Sequence, residues 1–191
     1  MVSEGIIINP RGCNASGKTT VTREYIKSFP EAHLEQINGA WVTKCSDEVY
    51  VLGRYDKKNG GCDGYSGRDQ VTGTIRTIID TYGPSVIVYE GMLYSTSAKL
   101  AQDIEKMFGP LGYHYQGIYL YRKFSSIIRL LEERNGGADY NIASINNTYR
   151  ANENAYKAVK KAGLNIAKLD ADKFTLKEMG AIIPSFLPLP Y

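Results

Sequence analysis

The sequence is poor in the residues that build metal centres and disulfide frameworks. It contains two histidines and three cysteines. The cysteines, Cys13, Cys45 and Cys62, have unrelated spacings and include no CxxC pair. An odd number of cysteines in this arrangement indicates neither a set of structural disulfides nor a zinc site. We therefore expect reduced thiols and a cytoplasmic protein.

The chain also lacks long apolar runs and a strong excess of either charge. No stretch approaches the roughly 18 apolar residues of a membrane-spanning helix, and no basic region of a secretion signal precedes the first apolar run. We expect no membrane association. The net charge of +3 is too small to indicate a nucleic-acid-binding protein, and it does not exclude one.

What is present is the composition and patterning of one globular domain covering 1–191, with 43% hydrophobic and 23% charged residues. Apolar strands are predicted at 4–9, 40–45, 48–55, 85–89, 115–121 and 165–169. Amphipathic helices are predicted at 18–29, 68–82, 97–108, 124–135 and 141–162, with a short helix near the C terminus. This alternation predicts an α/β sandwich with a mainly parallel sheet and helices on both faces. The glycine-rich segment 56–67 is predicted to be a loop.

Segment 12–19 matches the phosphate-binding pattern G-x-x-x-x-G-K-[ST] without deviation. It lies between a predicted strand and a predicted helix, which is the context in which this pattern binds phosphate. Its lysine, Lys18, is predicted to be catalytic between the β- and γ-phosphates, and the Thr19 hydroxyl is predicted to bind Mg²⁺. The residues expected to hold ATP are Gly12, Asn14, Ala15, Ser16, Gly17, Lys18, Thr19 and Thr20.

The second half of the site decides between reaction classes. A GTPase needs an N-K-x-D motif late in the chain, whereas 168–170 reads K-L-D without the asparagine. A motor ATPase normally ends a strand in D-E, whereas 85–89 is followed by Glu90 and Gly91. A single carboxylate suits a small-substrate kinase. Glu90 is therefore predicted to be catalytic, either by organising Mg²⁺ or by taking the proton of the acceptor hydroxyl.

A helical lid is predicted at about 122–150, where arginines occupy positions 122, 129, 134 and 150. Arginine stabilises the charge that spreads over a triphosphate in the transition state, and we predict this role for Arg129 and Arg134. The glycine pair 136–137 can act as a hinge. Glutamates at 132–133 leave a solvated helix face as an alternative for any one arginine.

The acceptor side is predicted at the end of the strand 48–55 and in the loop after it. Asp63, on a glycine-flanked turn, can act as the general base and contact the substrate. Arg54 and Arg76 can clamp an acceptor phosphate, and Tyr55 can stack on a base. The residues alone do not decide whether Asp63 or Glu90 is the base.

Three motifs resemble the nucleotide-kinase-like branch of the P-loop kinases: RGCNASGKTT at 11–20, VIVYEG at 86–91, and a strand followed by Arg-x4-Arg across 118–134. The combination of LGRY at 52–55 and GGCDG at 60–64 is similar to phage kinases that phosphorylate 5-hydroxymethyluracil in DNA. This resemblance implies a P-loop kinase fold and transfer of the ATP γ-phosphate to the hydroxymethyl group, an early step in thymine hypermodification. It also implies work in the host cytoplasm.

Two other functions remain open at this point. A kinase of free deoxynucleoside monophosphates would use the same loop and lid but a closed pocket for one nucleotide. A non-catalytic ATP-dependent switch would leave Glu90 and Asp63 with structural roles only. The oligomeric state is not indicated by the sequence.

Overall fold

The structure is a computed structural model that describes residues 4–56, 60–136 and 141–187. Its centre is one seven-stranded sheet with the order β2-β3-β4-β5-β1-β6-β7. The strands are β1 (Gly5–Arg11), β2 (His33–Ile37), β3 (Ala40–Lys44), β4 (Val49–Leu52), β5 (Val86–Val88), β6 (Tyr113–Tyr121) and β7 (Ile166–Asp170).

Five strands, from β4 to β7 in the sheet order, are parallel to one another. β2 and β3 extend one edge of the sheet through antiparallel pairing. The predicted hairpin at 40–55 is confirmed as β3 and β4. The prediction missed β2. Most residues of this strand are exposed or half-buried, so its sequence has no apolar run that would indicate a strand.

Helices cover both faces of the sheet. They are α1 (Lys18–Ile26), α2 (Arg68–Tyr82), α3 (Met92–Ser95), α4 (Ala98–Phe108), α5 (Phe124–Asn135), α6 (Ile142–Lys161) and α7 (Leu176–Gly180). α1 ends about one turn before the predicted boundary, and α3 was not predicted. Segment 56–67 contains a short 3-10 helix, Cys62–Gly64, although it was predicted to be entirely loop.

Two apolar cores follow from the alternation of side chains along the buried strands. Ile7 of β1 joins the core under α2, α4 and α6. Its neighbour Ile8 joins the core under α1 and α7 on the opposite face. The predicted layered arrangement is therefore confirmed, with β1 buried at the centre.

No helix within the described residues is long and apolar enough to cross a membrane. The same residues contain no group of three or more His, Cys, Asp or Glu side chains that could together hold a metal ion.

Candidate active site

The candidate site lies where β1 and β5 end. These strands are adjacent and parallel, with Ile8 opposite Val88 in the register. The phosphate-binding loop follows β1, and Glu90 comes two residues after β5. Parallel strands end at the same edge of a sheet, so the two predicted halves of the site meet there.

The phosphate-binding loop has the backbone shape of an anion cradle. Gly17 has a φ of 103° and precedes α1 without any side-chain cap on the helix. The first amide groups of α1 are therefore available to an anion. Ala15 also lies in the left-handed region, with a φ of 56°. The Ser16 hydroxyl is buried without a hydrogen-bond partner, which suits a ligand oxygen in the loop.

Lys18 places its ammonium group inside this loop. Its Nζ donates hydrogen bonds to the carbonyl oxygens of Gly12, at 2.8 Å, and Cys13, at 2.9 Å. Burial lowers the pKa of Lys18, and the negative charge of Glu90 opposes that change. The cation is thus held in position with much of its hydration removed, which strengthens its attraction for phosphate.

Glu90 is 1% exposed and faces the loop. Thr19 donates a hydrogen bond of 3.0 Å from Oγ1 to Oε1 of Glu90, and the Tyr55 hydroxyl lies 3.5 Å from the same oxygen. Burial raises the pKa of Glu90, while the nearby charge of Lys18 and the Thr19 hydrogen bond act in the opposite direction. Burial also raises the pKa of Tyr55 well above its usual value, so its hydroxyl stays protonated.

The loop that carries Asp63 is attached to Glu90 by its backbone. Cys62 donates its N–H to the Glu90 carbonyl oxygen at 2.8 Å. Gly61 has a φ of 82°, and a Cβ there would lie 2.6 Å from Oε1 of Glu90, so glycine allows the close approach. Asp63 itself is exposed, and its Oδ1 accepts a hydrogen bond of 3.2 Å from the Met92 amide. The second carboxylate oxygen is the one available to a substrate.

The side chains around the loop fit a nucleotide with Mg²⁺. The hydroxyl of Thr19 and the carboxylate of Glu90 are hard oxygen ligands that already touch one another. Magnesium in kinase sites is typically held by one or two protein oxygens together with phosphate oxygens and water. The pair Thr19 and Glu90 therefore satisfies the protein's share of such a site.

Arg122 was named among the arginines of the predicted lid but was given no catalytic or binding role. Its Nε donates to the Ser16 carbonyl oxygen at 3.4 Å, and its Nη1 donates to Oδ1 of Asp172 at 2.7 Å. Arg122 follows β6, the other neighbour of β1 in the sheet. The sequence did place Arg122 directly after a predicted central strand. Because ligands bind at the carboxyl ends of parallel strands, that position could have indicated a site residue.

The other predicted lid arginines lie apart from the loop in this structure. Arg129 and Arg134 are exposed on α5, and Arg129 lies 3.8 Å from Glu133. Part of the predicted hinge, Gly137, and the segment 138–140 lie outside the described residues.

The inner faces of the two predicted lid helices pack against the phosphate-binding loop. Ile127 and Leu131 of α5 and Ile145 of α6 form an apolar cluster with Cys13, against which Ala15 also packs. Burial raises the pKa of the Cys13 thiol to about 11. Residues 13 and 15 are variable positions of the motif, and here they join the loop to α5 and α6.

The predicted acceptor residues are only partly brought together. Tyr55 reaches Glu90, whereas Arg54 is paired with Asp56 at 2.6 Å and lies over the Trp41 ring, 4.9 Å from its centroid. The predicted substrate clamp Arg76 is not near the loop. Its guanidinium lies over the ring of Phe108, the last residue of α4. The chain continues from Phe108 to the start of β6, and the start of this parallel strand is at the opposite end from the phosphate-binding loop.

Comparison with known proteins identifies relatives of this chain. A family model described as 5-hmdU DNA kinase matches residues 2–175. The 5-hmdU DNA kinase of Bacillus phage SP10 is 27% identical over 111 residues, which are 55% of this chain and 17% of that protein. The 5-hmdU DNA kinase 1 of Salmonella phage ViI is 28% identical over 144 residues, which are 73% of this chain and 64% of that protein.

The chain thus matches less than two thirds of the length of either relative. Among solved structures, the YorR protein of Bacillus subtilis, in complex with phosphorylated GDP, has a TM-score of 0.56 to this chain. The match covers 94% of both chains at 14% identity. This likeness concerns the fold, and it confirms the predicted fold class.

Proposed function

This chain belongs to the 5-hmdU DNA kinase family, and from that membership we propose that it transfers the γ-phosphate of ATP to the hydroxymethyl oxygen of 5-hydroxymethyluracil in DNA. The observation that carries the proposal is the hydrogen bond of 3.0 Å between Thr19 and Glu90. It joins the phosphate-binding loop to a buried carboxylate, beside an exposed one at Asp63. The family match supports the identity of the acceptor.

The loop residues bind and orient the triphosphate. Backbone amides of segment 12–19 and the α1 N terminus face the phosphate oxygens, and Lys18 neutralises the charge between the β- and γ-phosphates. Thr19 and Glu90 would hold Mg²⁺, which when bound would neutralise further charge on the phosphate oxygens. The buried hydroxyl of Ser16, which has no hydrogen-bond partner in the structure, would donate a hydrogen bond to a phosphate oxygen.

Asp63 acts as the general base. Its carboxylate takes the proton of the acceptor hydroxyl as that oxygen forms a bond to the γ-phosphorus. The bond between the γ-phosphorus and the bridging oxygen of the β-phosphate breaks, and ADP leaves. We assign the base to Asp63 because it is exposed to an incoming acceptor, whereas Glu90 is enclosed and already bonded to Thr19.

Arginines complete the charge stabilisation. Arg122 already lies against the loop at Ser16, which supports a role for it in contacting phosphate. Arg129 and Arg134 contribute when the segment 122–150 closes over the triphosphate. Both side chains are exposed on α5, and Arg129 would exchange its ion pair with Glu133 for phosphate oxygens on closure.

The test is transfer of label from γ-labelled ATP to a panel of acceptors. The panel contains duplex DNA with 5-hydroxymethyluracil, the same duplex with thymine, and free deoxynucleoside monophosphates. The proposal expects label only on the hydroxymethylated DNA. Label on free nucleotides alone would instead show a nucleotide kinase, and ATP binding without transfer to any acceptor would show a switch.

The compartment follows from the thiols and the family. The three cysteines are free and buried, so they require no oxidising environment. We propose that the enzyme works in the cytoplasm of a phage-infected host. Mass spectrometry of protein isolated from infected cells, with free thiols blocked on lysis, should find all three cysteines reduced.

A further inference from the structure

Beside the candidate site, two apolar side chains stand in solvent. Leu93 is 70% exposed and Met92 is 38% exposed, and both belong to α3. Among the exposed large hydrophobic side chains of the described residues, Leu93 is the most exposed. A contiguous apolar pair at the mouth of a polar site is a feature that a binding partner can cover.

The helix that carries this pair, α3, is hydrogen-bonded on its buried side to Arg11. Arg11 is 1% exposed, and none of the ion pairs among the described residues involves it. Its Nη2 instead donates to the Ser95 carbonyl oxygen at 2.7 Å, and its Nη1 donates to Oδ1 of Asn9 at 2.9 Å. The Ser95 hydroxyl donates to the Gly91 carbonyl oxygen at 2.8 Å. Arg11 therefore holds α3 in place, because moving the helix would take an acceptor away from a buried charge.

The apolar pair is also fixed relative to the proposed base. The Met92 amide donates to Oδ1 of Asp63 at 3.2 Å, and Gly91 is the residue directly after Glu90. Leu93 is therefore an exposed side chain on the residue next to the one that contacts the proposed base.

The burial of the site sets a condition on the DNA. Glu90 is 1% exposed and Lys18 is 8% exposed. A base paired inside a duplex cannot bring its hydroxymethyl group to such enclosed side chains, so it must leave the stack. Proteins that open a base step in duplex DNA frequently insert an apolar side chain between the bases.

We propose that Leu93, supported by Met92, is the wedge that enters the base stack of duplex DNA and fills the space left by the extruded 5-hydroxymethyluracil. This inference rests on the proposed function. Leucine and methionine are among the side chains that serve as wedges in DNA-bending proteins. The rigid mounting by Arg11 holds the wedge at a constant distance from Asp63, so insertion and delivery of the base are coupled.

Charges and an aromatic ring at the same edge of the sheet fit the same partner. Arg54 lies over the Trp41 ring at the end of β4, and Tyr65 donates to the Trp41 carbonyl oxygen at 2.8 Å, two residues after Asp63. Arg68, the first residue of α2, is exposed and has no ion pair among the described residues. Arg54 is already paired with Asp56, whereas Arg68 has no such partner among these residues and can complement a DNA phosphate.

The test compares DNA acceptors that differ in the free energy needed to take the target base out of the stack. Initial rates with γ-labelled ATP are measured on a matched duplex with one 5-hydroxymethyluracil opposite adenine, on the same duplex with guanine opposite, and on the modified strand alone. The variants are Leu93→Ala, Leu93→Met and the matched control Leu111→Ala, a 46% exposed leucine between α4 and β6. Fluorescence of 2-aminopurine placed next to the target base reports extrusion independently of transfer.

For the wedge we expect Leu93→Ala to lose about 10- to 100-fold in kcat/KM on the matched duplex, since unstacking a base step costs a few kcal/mol. The loss should be smaller on the mismatched duplex and absent on the single strand. Leu93→Met should recover most of the duplex activity, and Leu111→Ala should match the wild type. The 2-aminopurine fluorescence that reports base extrusion should fall in Leu93→Ala and not in Leu93→Met or Leu111→Ala.

Two results would overturn the wedge: unchanged duplex activity of Leu93→Ala, or an equal loss on duplex and single strand, which would mean a distorted site. These differ from failure of the proposed function itself. In that case the wild type would phosphorylate none of the three DNAs, whatever residue stands at position 93.

Discussion

The hydroxyl of Thr19 and the carboxylate of Glu90 share a hydrogen bond of 3.0 Å across 71 positions of the sequence. Thr19 is the last residue of the phosphate-binding loop and the second residue of α1, and Glu90 follows β5. The bond makes the phosphate half and the carboxylate half of the site depend on one another. Removing the hydroxyl of Thr19 or the charge of Glu90 should therefore alter the response of the enzyme to Mg²⁺.

Glu90→Gln is the sharpest test of that dependence. The amide keeps the shape of the side chain and removes its charge, so the Mg²⁺ concentration needed for half-maximal transfer should rise about tenfold or more. Titration of turnover against Mg²⁺ at saturating ATP measures this. Thr19→Ser keeps the hydroxyl and is the matched control, which should stay close to the wild type. An unchanged Mg²⁺ response in Glu90→Gln would remove Glu90 from the metal site.

Lys18→Ala should leave a folded protein whose transfer rate is lower by about 100- to 1000-fold, because a positioned charge in a desolvated site stabilises the transition state. Steady-state rates with hydroxymethylated DNA give the loss, and the far-ultraviolet circular dichroism spectrum checks the fold. Lys18→Arg retains the charge with a different shape, so it separates the charge from the fit. A fully active Lys18→Ala enzyme would contradict the assignment of the loop.

The sequence predicted the frame of the site well, for identifiable reasons. Segment 12–19 has a spacing that only a few backbone shapes accommodate, and Glu90 follows an apolar run that can only be a buried strand. Local patterns of this kind survive folding because each lies within a single strand, turn or helix.

What the sequence could not supply were contacts between elements distant along the chain. Arg11 reads as a polar residue at a strand end, yet it is buried and anchors α3. Arg76 reads as a free cation on a helix, yet it packs over Phe108 far from the loop. Such roles depend on which elements become neighbours, and the periodicity of one element does not contain that information.

Arg122 and the lid arginines should differ when replaced by alanine. Arg122 already contacts the loop at Ser16, so Arg122→Ala should weaken ATP binding about 10- to 100-fold, the range for a lost charge-assisted hydrogen bond. Arg129→Ala and Arg134→Ala should lower turnover more than ATP affinity, because they act on closure. Comparing ATP dissociation constants with single-turnover rates separates the two. Unchanged kinetics for Arg129→Ala would leave it as a partner of Glu133 on the surface.

The thiol of Cys13 should be nearly inert in the folded enzyme. Burial raises its pKa from 9.0 to about 11, and the reactive form is the thiolate. At pH 8 the thiolate fraction should thus be about 100-fold below that of an unperturbed cysteine, and alkylation should speed up as pH rises towards 11. Mass spectrometry after timed iodoacetamide treatment measures the rate. The unfolded protein is the control, and rapid labelling of Cys13 in the native state would show that the cluster with α5 and α6 opens.

The last prediction separates the two carboxylates of the site. Asp63 is exposed and attached through one oxygen to the Met92 amide, whereas Glu90 is buried against Thr19. If Asp63 takes the proton of the acceptor, then Asp63→Asn should lower transfer by at least about 100-fold while ATP binding and the Mg²⁺ response stay unchanged.

The asparagine can still accept the Met92 hydrogen bond through its amide oxygen, so α3 and the loop should keep their positions. Asp63→Asn therefore removes the basicity of the side chain and little else. Isothermal titration with ATP and Mg²⁺, followed by single-turnover transfer to hydroxymethylated DNA, provides both readouts on one sample. Asp69→Asn, on an exposed carboxylate in the first turn of α2, is the control for a general loss of negative charge near the site. A fully active Asp63→Asn enzyme would make Asp63 a cap for α3, and a shifted Mg²⁺ response in Asp63→Asn with none in Glu90→Gln would exchange the two roles.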